Sequence, residues 1–146
     1  MRIAGIDYGT VRIGIATADT DVCIATPYEN YTRRTLELDA DYFSTFGKEE
    51  RIGRFVVGLP VHLHGGESQK SMEAREFGLW LQETTGVPVE FFDERFTTSE
   101  ADAILNSVKL TKKKRQARRD QLAAQIMLTA YLESGSRGQD SSLSID

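Results

Sequence analysis

The sequence has few of the residues that build disulfide scaffolds, zinc sites or membrane spans. Its 146 residues include one cysteine, two histidines and three prolines, which excludes an intrachain disulfide and argues against a Cys/His zinc cluster. No apolar run approaches the roughly 20 residues of a membrane helix, and the first residues enter a strand pattern without the layout of a signal peptide. We therefore expect a cytoplasmic globular protein, with Cys23 as a small buried hydrophobic residue.

A general excess of positive charge is also lacking. The chain has 18 Lys and Arg against 22 Asp and Glu, a net charge of -4, which argues against a protein that is basic over its whole surface. The positive charge is instead concentrated in the stretch KKKRQARR, Lys112 to Arg119, which carries six positive charges in eight residues. This stretch is the first candidate for a nucleic-acid contact, although a run of charge more often forms a solvated loop.

The hydrophobic pattern predicts one α/β domain over residues 1–133 and a Gly/Ser-rich, disordered tail over residues 134–146. Strands are predicted at Arg2–Ile6, Arg12–Thr17, Cys23–Tyr31, Arg54–Leu59 and Val87–Phe92. Helices are predicted at Leu36–Lys48, Ser71–Thr84, Ala101–Val108 and about Arg118–Leu132. Three leading strands followed by alternating helices and strands indicate a mixed five-stranded sheet with flanking helices. Pro27 predicts that the third strand lies at an edge or carries a bulge.

Asp7 is the first candidate for a functional carboxylate. It follows the first strand directly, and α/β sheets collect functional groups at strand ends. The neighbouring Gly9 allows a ligand to approach the backbone closely. The alternative interpretation is a hairpin turn in which Asp occupies a favoured position.

A second carboxylate is expected after the fifth strand, at Asp93 or Glu94. Adjacent strand residues point to opposite faces, so at most one of the two can join Asp7. Glu94 is our choice and Asp93 the reserve. The alternative is a strand that ends in a solvated charged turn.

The third candidate, Asp120, is predicted at the start of the last helix, on its apolar face. That face also carries Ala123, Ala124, Met127, Leu128 and Tyr131. An unpaired buried charge is costly. Asp120 is therefore expected to bind a metal, to pair with a base such as Arg95 or Arg12, or to cap its own helix.

Three carboxylates from separate segments can converge at one edge of a sheet. Mg²⁺ prefers such oxygen ligands, and a pair of ions about 4 Å apart can activate water in phosphodiester hydrolysis. The residues thus predict a metal-dependent nuclease with Asp7, Glu94 and Asp120 as catalytic and metal-binding residues. The adjacent basic stretch is expected to be a mobile loop that contacts phosphates. The residues of this stretch that are expected to bind nucleic acid are Lys112, Lys113, Lys114, Arg115, Arg118 and Arg119.

Four motifs, in order, carry a resemblance to a known family. GIDYGTVRIGIA, VVGLP, DERFTTSEA and RDQLAAQIML resemble the motifs of the YqgF-type pre-16S ribosomal RNA nucleases, relatives of the Holliday junction resolvases. The match runs from Arg2 to about Leu132. The resemblance implies a ribonuclease H-like fold, Mg²⁺- or Mn²⁺-dependent nuclease activity, and a role in maturing the 5′ end of 16S ribosomal RNA.

Carried over by position, the resemblance makes Asp7 the first-strand acid, Glu94 the acid of the Asp-Glu-Arg motif and Asp120 the last-helix acid. Arg12 and Arg95 would lie nearby as nucleic-acid contacts. The loop VHLHGGES departs from the family, where an Asn and an Asp-Gly are more typical, so substrate contacts there are open. Its two histidines, His62 and His64, are expected to be surface loop residues.

Other functions stay open on the sequence alone. A Holliday junction resolvase acting on branched DNA and a non-catalytic nucleic-acid-binding module fit the same residues. The opening motif also resembles the phosphate loop of actin-like and sugar-kinase ATPases, but those proteins need two such domains to enclose ATP. The sequence does not decide the oligomeric state, so a homodimer remains open.

Overall fold

The computed structural model describes residues 1–60, 68–94 and 112–137, and in the last helix the side chains of residues 122–134. The strands are β1 (Arg2–Asp7), β2 (Arg12–Asp19), β3 (Ile24–Thr32), β4 (Ile52–Leu59) and β5 (Val89–Asp93). The helices are α1 (Leu36–Glu49), α2 (Gln69–Thr85) and α3 (Lys112–Arg137). The predicted helix at residues 101–108 and the loop with His62 and His64 lie outside the described residues. None of the described helices is long and apolar enough to span a membrane.

The five strands form one mixed sheet in the order β3-β2-β1-β4-β5. β1 pairs antiparallel with β2, and β2 with β3, whereas β1 with β4 and β4 with β5 are parallel pairs. The predicted mixed sheet is therefore confirmed, and β1 and β2 form a hairpin. β3 forms an edge and bulges near Pro27, because Ile15 pairs with Glu29 while Ala16 pairs with Pro27, as the proline predicts.

Side chains alternate between two cores on opposite faces of the sheet. Ile6 and Val57 belong to the core under α1 and α2. Ile3 and Val56 belong to the core under α3, which contributes Leu128. This alternation assigns every strand residue to one face, and it decides which carboxylates can meet.

Local sequence explains where the first two helices begin and end. The Thr35 hydroxyl accepts a hydrogen bond from the backbone N–H of Leu38, and the Ser68 hydroxyl accepts one from that of Ser71. Both are N-caps that satisfy free donors of the first turn. Gly86, with φ of 74°, ends α2 as a C-cap in the left-handed conformation, which glycine adopts without steric cost.

The prediction for the start of the last helix was wrong. The helix begins at Lys112, so residues 112–119 form its first two turns instead of a loop. Lys, Arg, Gln and Ala are all strong helix formers, and their summed propensity outweighs the repulsion between like charges one turn apart. Asp120 consequently lies inside the helix, where it cannot act as the N-cap. The helix also extends past the predicted end, to Arg137.

Cys23 is exposed, not buried as predicted. It closes the turn between β2 and β3 with φ of 60°, and its thiol donates a hydrogen bond of 3.2 Å to the Thr20 carbonyl oxygen. The apolar run around Cys23 is therefore interrupted by a turn, which directs the side chain outward.

Candidate active site

Asp7 is the last residue of β1, the central strand, and is half-buried. It follows Ile3 and Gly5 at strand spacing, so its side chain belongs to the face that α3 covers. Its partner on β2 is Gly14. The carboxylate therefore emerges at the carboxyl end of the sheet, between β2 and β4.

Glu94 lies directly after β5 and reaches across β4 toward Asp7. A Cβ built on Gly58 of β4 would lie 3.0 Å from Glu94 Oε1 and 3.1 Å from its Cδ and Cγ, so the Glu94 side chain lies over this glycine. The Glu94 carboxyl group lies close enough to Asp7 for a side-chain hydrogen bond between them to lower the pKa of Glu94. Phe92 packs in the core under α3, and strand alternation assigns Asp93 to the opposite face. Glu94 is thus the residue that the structure pairs with Asp7.

Burial and neighbouring charges both act on the Glu94 carboxyl group. Burial raises the pKa of Glu94 above its ordinary 4.5, and the charge of Asp93 adds to that rise. The ammonium group of Lys70 and the hydrogen bond with Asp7 act in the opposite direction. Two carboxyl groups in hydrogen-bond contact need a proton or a cation between them.

The turn after Asp7 is tight, and Gly9 makes it possible. A Cβ built on Gly9 would lie 2.3 Å from the Arg12 carbonyl oxygen, a separation that no side chain tolerates. The close backbone approach predicted at Gly9 is therefore an approach to the chain's own Arg12. This tight turn lets the chain reverse directly from β1 into β2, so Asp7 stays at the end of the sheet.

α3 comes close to β1 at Gly5. A Cβ built on Gly5 would lie 3.0 Å from Leu128 Cβ and 3.3 Å from the Ala124 carbonyl oxygen. Farther along the helix, the Tyr131 hydroxyl accepts a hydrogen bond of 2.8 Å from Arg54, near the start of β4. From Ala124 to Tyr131 the helix therefore runs toward the amino end of the parallel strands β1 and β4. Its earlier residues run toward their carboxyl end, where Asp7 lies.

Asp120 lies within α3, one helical turn before Ala124. The backbone of the helix thus carries it toward the end of β1 that holds Asp7. Its side chain is outside the described part of the helix. Among the side chains that the structure describes, no group of three or more His, Cys, Asp or Glu could hold a metal ion. Asp7 and Glu94 are the two predicted ligands that the described residues bring together.

The predicted nucleic-acid contacts divide into three groups. Arg12 begins β2 and is exposed. Arg95 lies outside the described residues. The six basic residues of 112–119 occupy the first two turns of α3, and their side chains are not described. Lys70, exposed in the first turn of α2, is a further cation near Glu94. Nothing in the sequence pointed to Lys70, because its position depends on how α2 packs against the sheet.

Comparison with known proteins identifies a matching family and related proteins. A family model described as RuvX, Holliday junction resolvase, matches residues 1–134. A protein of Rhodopirellula baltica named "Putative pre-16S rRNA nuclease" is 52% identical over 132 residues, covering 90% of this chain and 76% of that relative.

Two solved structures share the fold. RuvC of T. thermophilus in complex with Holliday junction substrate matches with a TM-score of 0.58 and 16% identity, over 93% of this chain and 97% of that chain. The yeast mitochondrial Holliday junction resolvase Ydc2 matches with a TM-score of 0.59 and 9% identity, over 94% of this chain and 80% of that chain. The fold is thus ribonuclease H-like, as the motifs predicted.

Proposed function

Because the chain belongs to the RuvX Holliday junction resolvase family, we propose that it is a metal-dependent nuclease that hydrolyses phosphodiester bonds and trims the 5′ end of precursor 16S ribosomal RNA. The observation that carries the proposal is the pairing of the Asp7 and Glu94 side chains over Gly58. Two acids held together from separate strands of a nuclease-family fold are best explained by a shared cation.

The residues fit Mg²⁺ or Mn²⁺. Both donors are carboxylate oxygens, the ligand type that these hard cations take. Gly58 supplies the space for the Glu94 side chain, since any larger residue would place a Cβ against its carboxylate. Two such cations, held by Asp7, Glu94 and Asp120, would supply an activated water and stabilise the leaving oxygen.

Support for Asp120 as the third ligand comes from the path of α3. One helical turn rises about 5.4 Å, and two strand residues rise about 6.6 Å. Ala124 lies over Gly5, so a residue one turn earlier reaches approximately the level of Asp7. Since Asp120 does not cap its helix, its charge on an otherwise apolar face calls for a ligand or an ion pair.

The chain's other charges fit the handling of phosphate. Lys70 lies near Glu94 and can attract a phosphate oxygen beside the carboxylate pair. The first two turns of α3 concentrate positive charge immediately before Asp120. Substrate backbone bound along these turns would pass the Asp7–Glu94 pair.

The direct test is cleavage by the purified protein. A 5′-labelled RNA that spans the leader–16S junction and a labelled four-way DNA junction are incubated side by side with Mg²⁺, with Mn²⁺ or with EDTA. We expect metal-dependent cut products from the RNA. Cleavage of the four-way DNA junction but not of the RNA would reassign the substrate to branched DNA. Binding of both without cleavage would contradict a nuclease and favour a non-catalytic binding module.

The basic stretch gives a prediction about binding. Replacing Lys112, Lys113 and Lys114 together with Gln, which preserves helix propensity, should weaken RNA binding and lower the slope of log K against log salt by about 0.7 to 0.9 per lost contact. Fluorescence anisotropy at several salt concentrations measures both quantities. The control replaces Lys48 and Arg51, exposed at the opposite end of the sheet, with Gln. An unchanged slope in the triple variant would place the RNA elsewhere.

The Glu94 environment gives a prediction about pH. Its raised folded-state pKa stabilises the fold at pH below the unfolded value, and this contribution is lost as pH rises through the folded value. Without metal, Glu94→Gln should therefore gain stability relative to the wild type as pH increases from about 4 to 8. Thermal unfolding in EDTA across this range measures the difference. If the Tm difference between the two proteins did not change with pH, the pKa of Glu94 would not be raised in the folded protein.

A further inference from the structure

The turn that follows Asp7, residues 8–11, is held by one arginine from a distant part of the sequence. The backbone N–H of Arg33 donates a hydrogen bond of 2.9 Å to the Val11 carbonyl oxygen. Its side-chain Nη1 donates one of 3.0 Å to the Tyr8 hydroxyl. Arg33 therefore contacts the turn at its first and last residues.

The Arg33 guanidinium is enclosed by partners on several sides. Its Cζ lies 5.4 Å from the centroid of the Tyr8 ring and 5.5 Å from that of Phe77, distances at which cation–π attraction operates. Its Nε lies 3.5 Å from Asp39 Oδ2, and its side chain is only 22% exposed. Such a side chain is poorly placed to meet substrate phosphate.

Asp39 in turn is held rigidly. It is 1% exposed and accepts hydrogen bonds from the Tyr31 hydroxyl at 2.6 Å and from the Arg34 backbone N–H at 2.9 Å. Burying an arginine and a carboxylate together carries a desolvation cost that often cancels their attraction. Stability alone is thus a weak reason for burying Arg33 together with Asp39. Precise placement of the groups that Arg33 contacts is a better one.

The Arg33 side chain contacts Tyr8, the residue next to Asp7. Tyr8 packs on Phe77 with ring centroids 5.1 Å apart, on the α1–α2 face, whereas Asp7 belongs to the α3 face. Because Tyr8 is bonded directly to Asp7 and packs on the opposite face, fixing the Tyr8 ring also restricts the backbone rotation that aims the Asp7 carboxylate.

We propose that Arg33 is a positioning residue for Asp7, which holds the 8–11 turn through Tyr8 and Val11 so that the Asp7 carboxylate meets Glu94 over Gly58. This proposal rests on the nuclease function proposed above. Groups that orient metal ligands from one contact away typically change metal affinity or activity by about 10- to 100-fold when removed.

The test compares Arg33→Met with Arg2→Met. Both substitutions keep the aliphatic stem and remove one Arg–carboxylate pair, but Arg2 pairs with Glu50 at the opposite end of β1. For Arg33→Met we expect a kcat about 10- to 100-fold lower and weaker Mn²⁺ binding by calorimetry, with KM and the salt slope of RNA binding unchanged. Arg2→Met should keep kcat and Mn²⁺ affinity even where its Tm falls.

Tyr8→Phe provides a second variant that retains the ring and removes only the hydroxyl. We expect a smaller loss of kcat and Mn²⁺ affinity in the same direction, and this variant decides the question if Arg33→Met does not fold. Wild-type kcat and Mn²⁺ affinity in folded Arg33→Met, or a raised KM with a lower salt slope at constant kcat, would overturn the positioning role while the nuclease function stands. A wild-type protein that neither cleaves nor binds Mn²⁺ would overturn both.

Discussion

Asp7→Asn is expected to abolish metal-dependent cleavage while the protein stays folded. Asparagine keeps the shape of the side chain but removes the negative charge that a divalent cation needs. The loss of activity should exceed the roughly 10- to 100-fold typical of residues that only orient a ligand. In EDTA the Tm should stay constant or rise, because the neutral amide relieves the crowding with Glu94.

The matched control for this variant is Asp19→Asn. Asp19 is also the last residue of a strand, β2, but lies at the opposite end of the sheet, 3.7 Å from the amino terminus. Its replacement should leave cleavage unchanged. Initial rates with Mg²⁺ and thermal unfolding in EDTA measure both variants. Wild-type cleavage by Asp7→Asn would rule out hydrolysis at this carboxylate.

Gly58→Ala is expected to reduce cleavage strongly without replacing a charged residue. The added Cβ would lie within 3.0 Å of the Glu94 carboxylate, and the flexible Glu94 side chain would have to leave its place over β4. Because the clash involves the end of a side chain, the fold should survive. We expect cleavage and Mn²⁺ affinity to fall by about 10- to 100-fold, as for a misplaced ligand.

Gly47→Ala is the control for Gly58→Ala. Gly47 lies in α1, where the nearest atom to a built Cβ is Phe55 Cζ at 4.0 Å, an ordinary contact. Alanine there should preserve activity and stabilise the helix by about 0.5 to 1 kcal/mol. Equal activity of the two alanine variants would show that the position of Glu94 over Gly58 is unimportant.

The sequence predicted the strands, the first two helices and the carboxylates at strand ends because those features are local. Short continuous apolar runs mark β1 and β4, and an acid directly after such a run must lie at the end of the sheet. The same reasoning did not decide whether Asp93 or Glu94 lies beside Asp7. Only the packing of Phe92 under α3 and the space over Gly58 showed which of them reaches Asp7.

The features that escaped prediction depend on contacts between distant segments or on competing local preferences. Lys70 and Arg33 lie close to residues that are far away in the chain, so no spacing rule could reveal their positions. At residues 112–119 the repulsion of like charges suggested a loop, but strong helix propensity prevailed. As a result, Asp120 lies in the interior of the helix and not at its start, where it was predicted.

We propose that Asp7, Glu94 and Asp120 together hold divalent cations at the carboxyl end of β1. A crystal structure of the protein grown with Mn²⁺, with the ions located by anomalous scattering, tests it most directly. We expect an anomalous peak within coordination distance of both the Asp7 and Glu94 carboxylates, with Asp120 facing it from α3. Mn²⁺ bound only at other sites, or an Asp120 carboxylate directed away from Asp7, would contradict the claim.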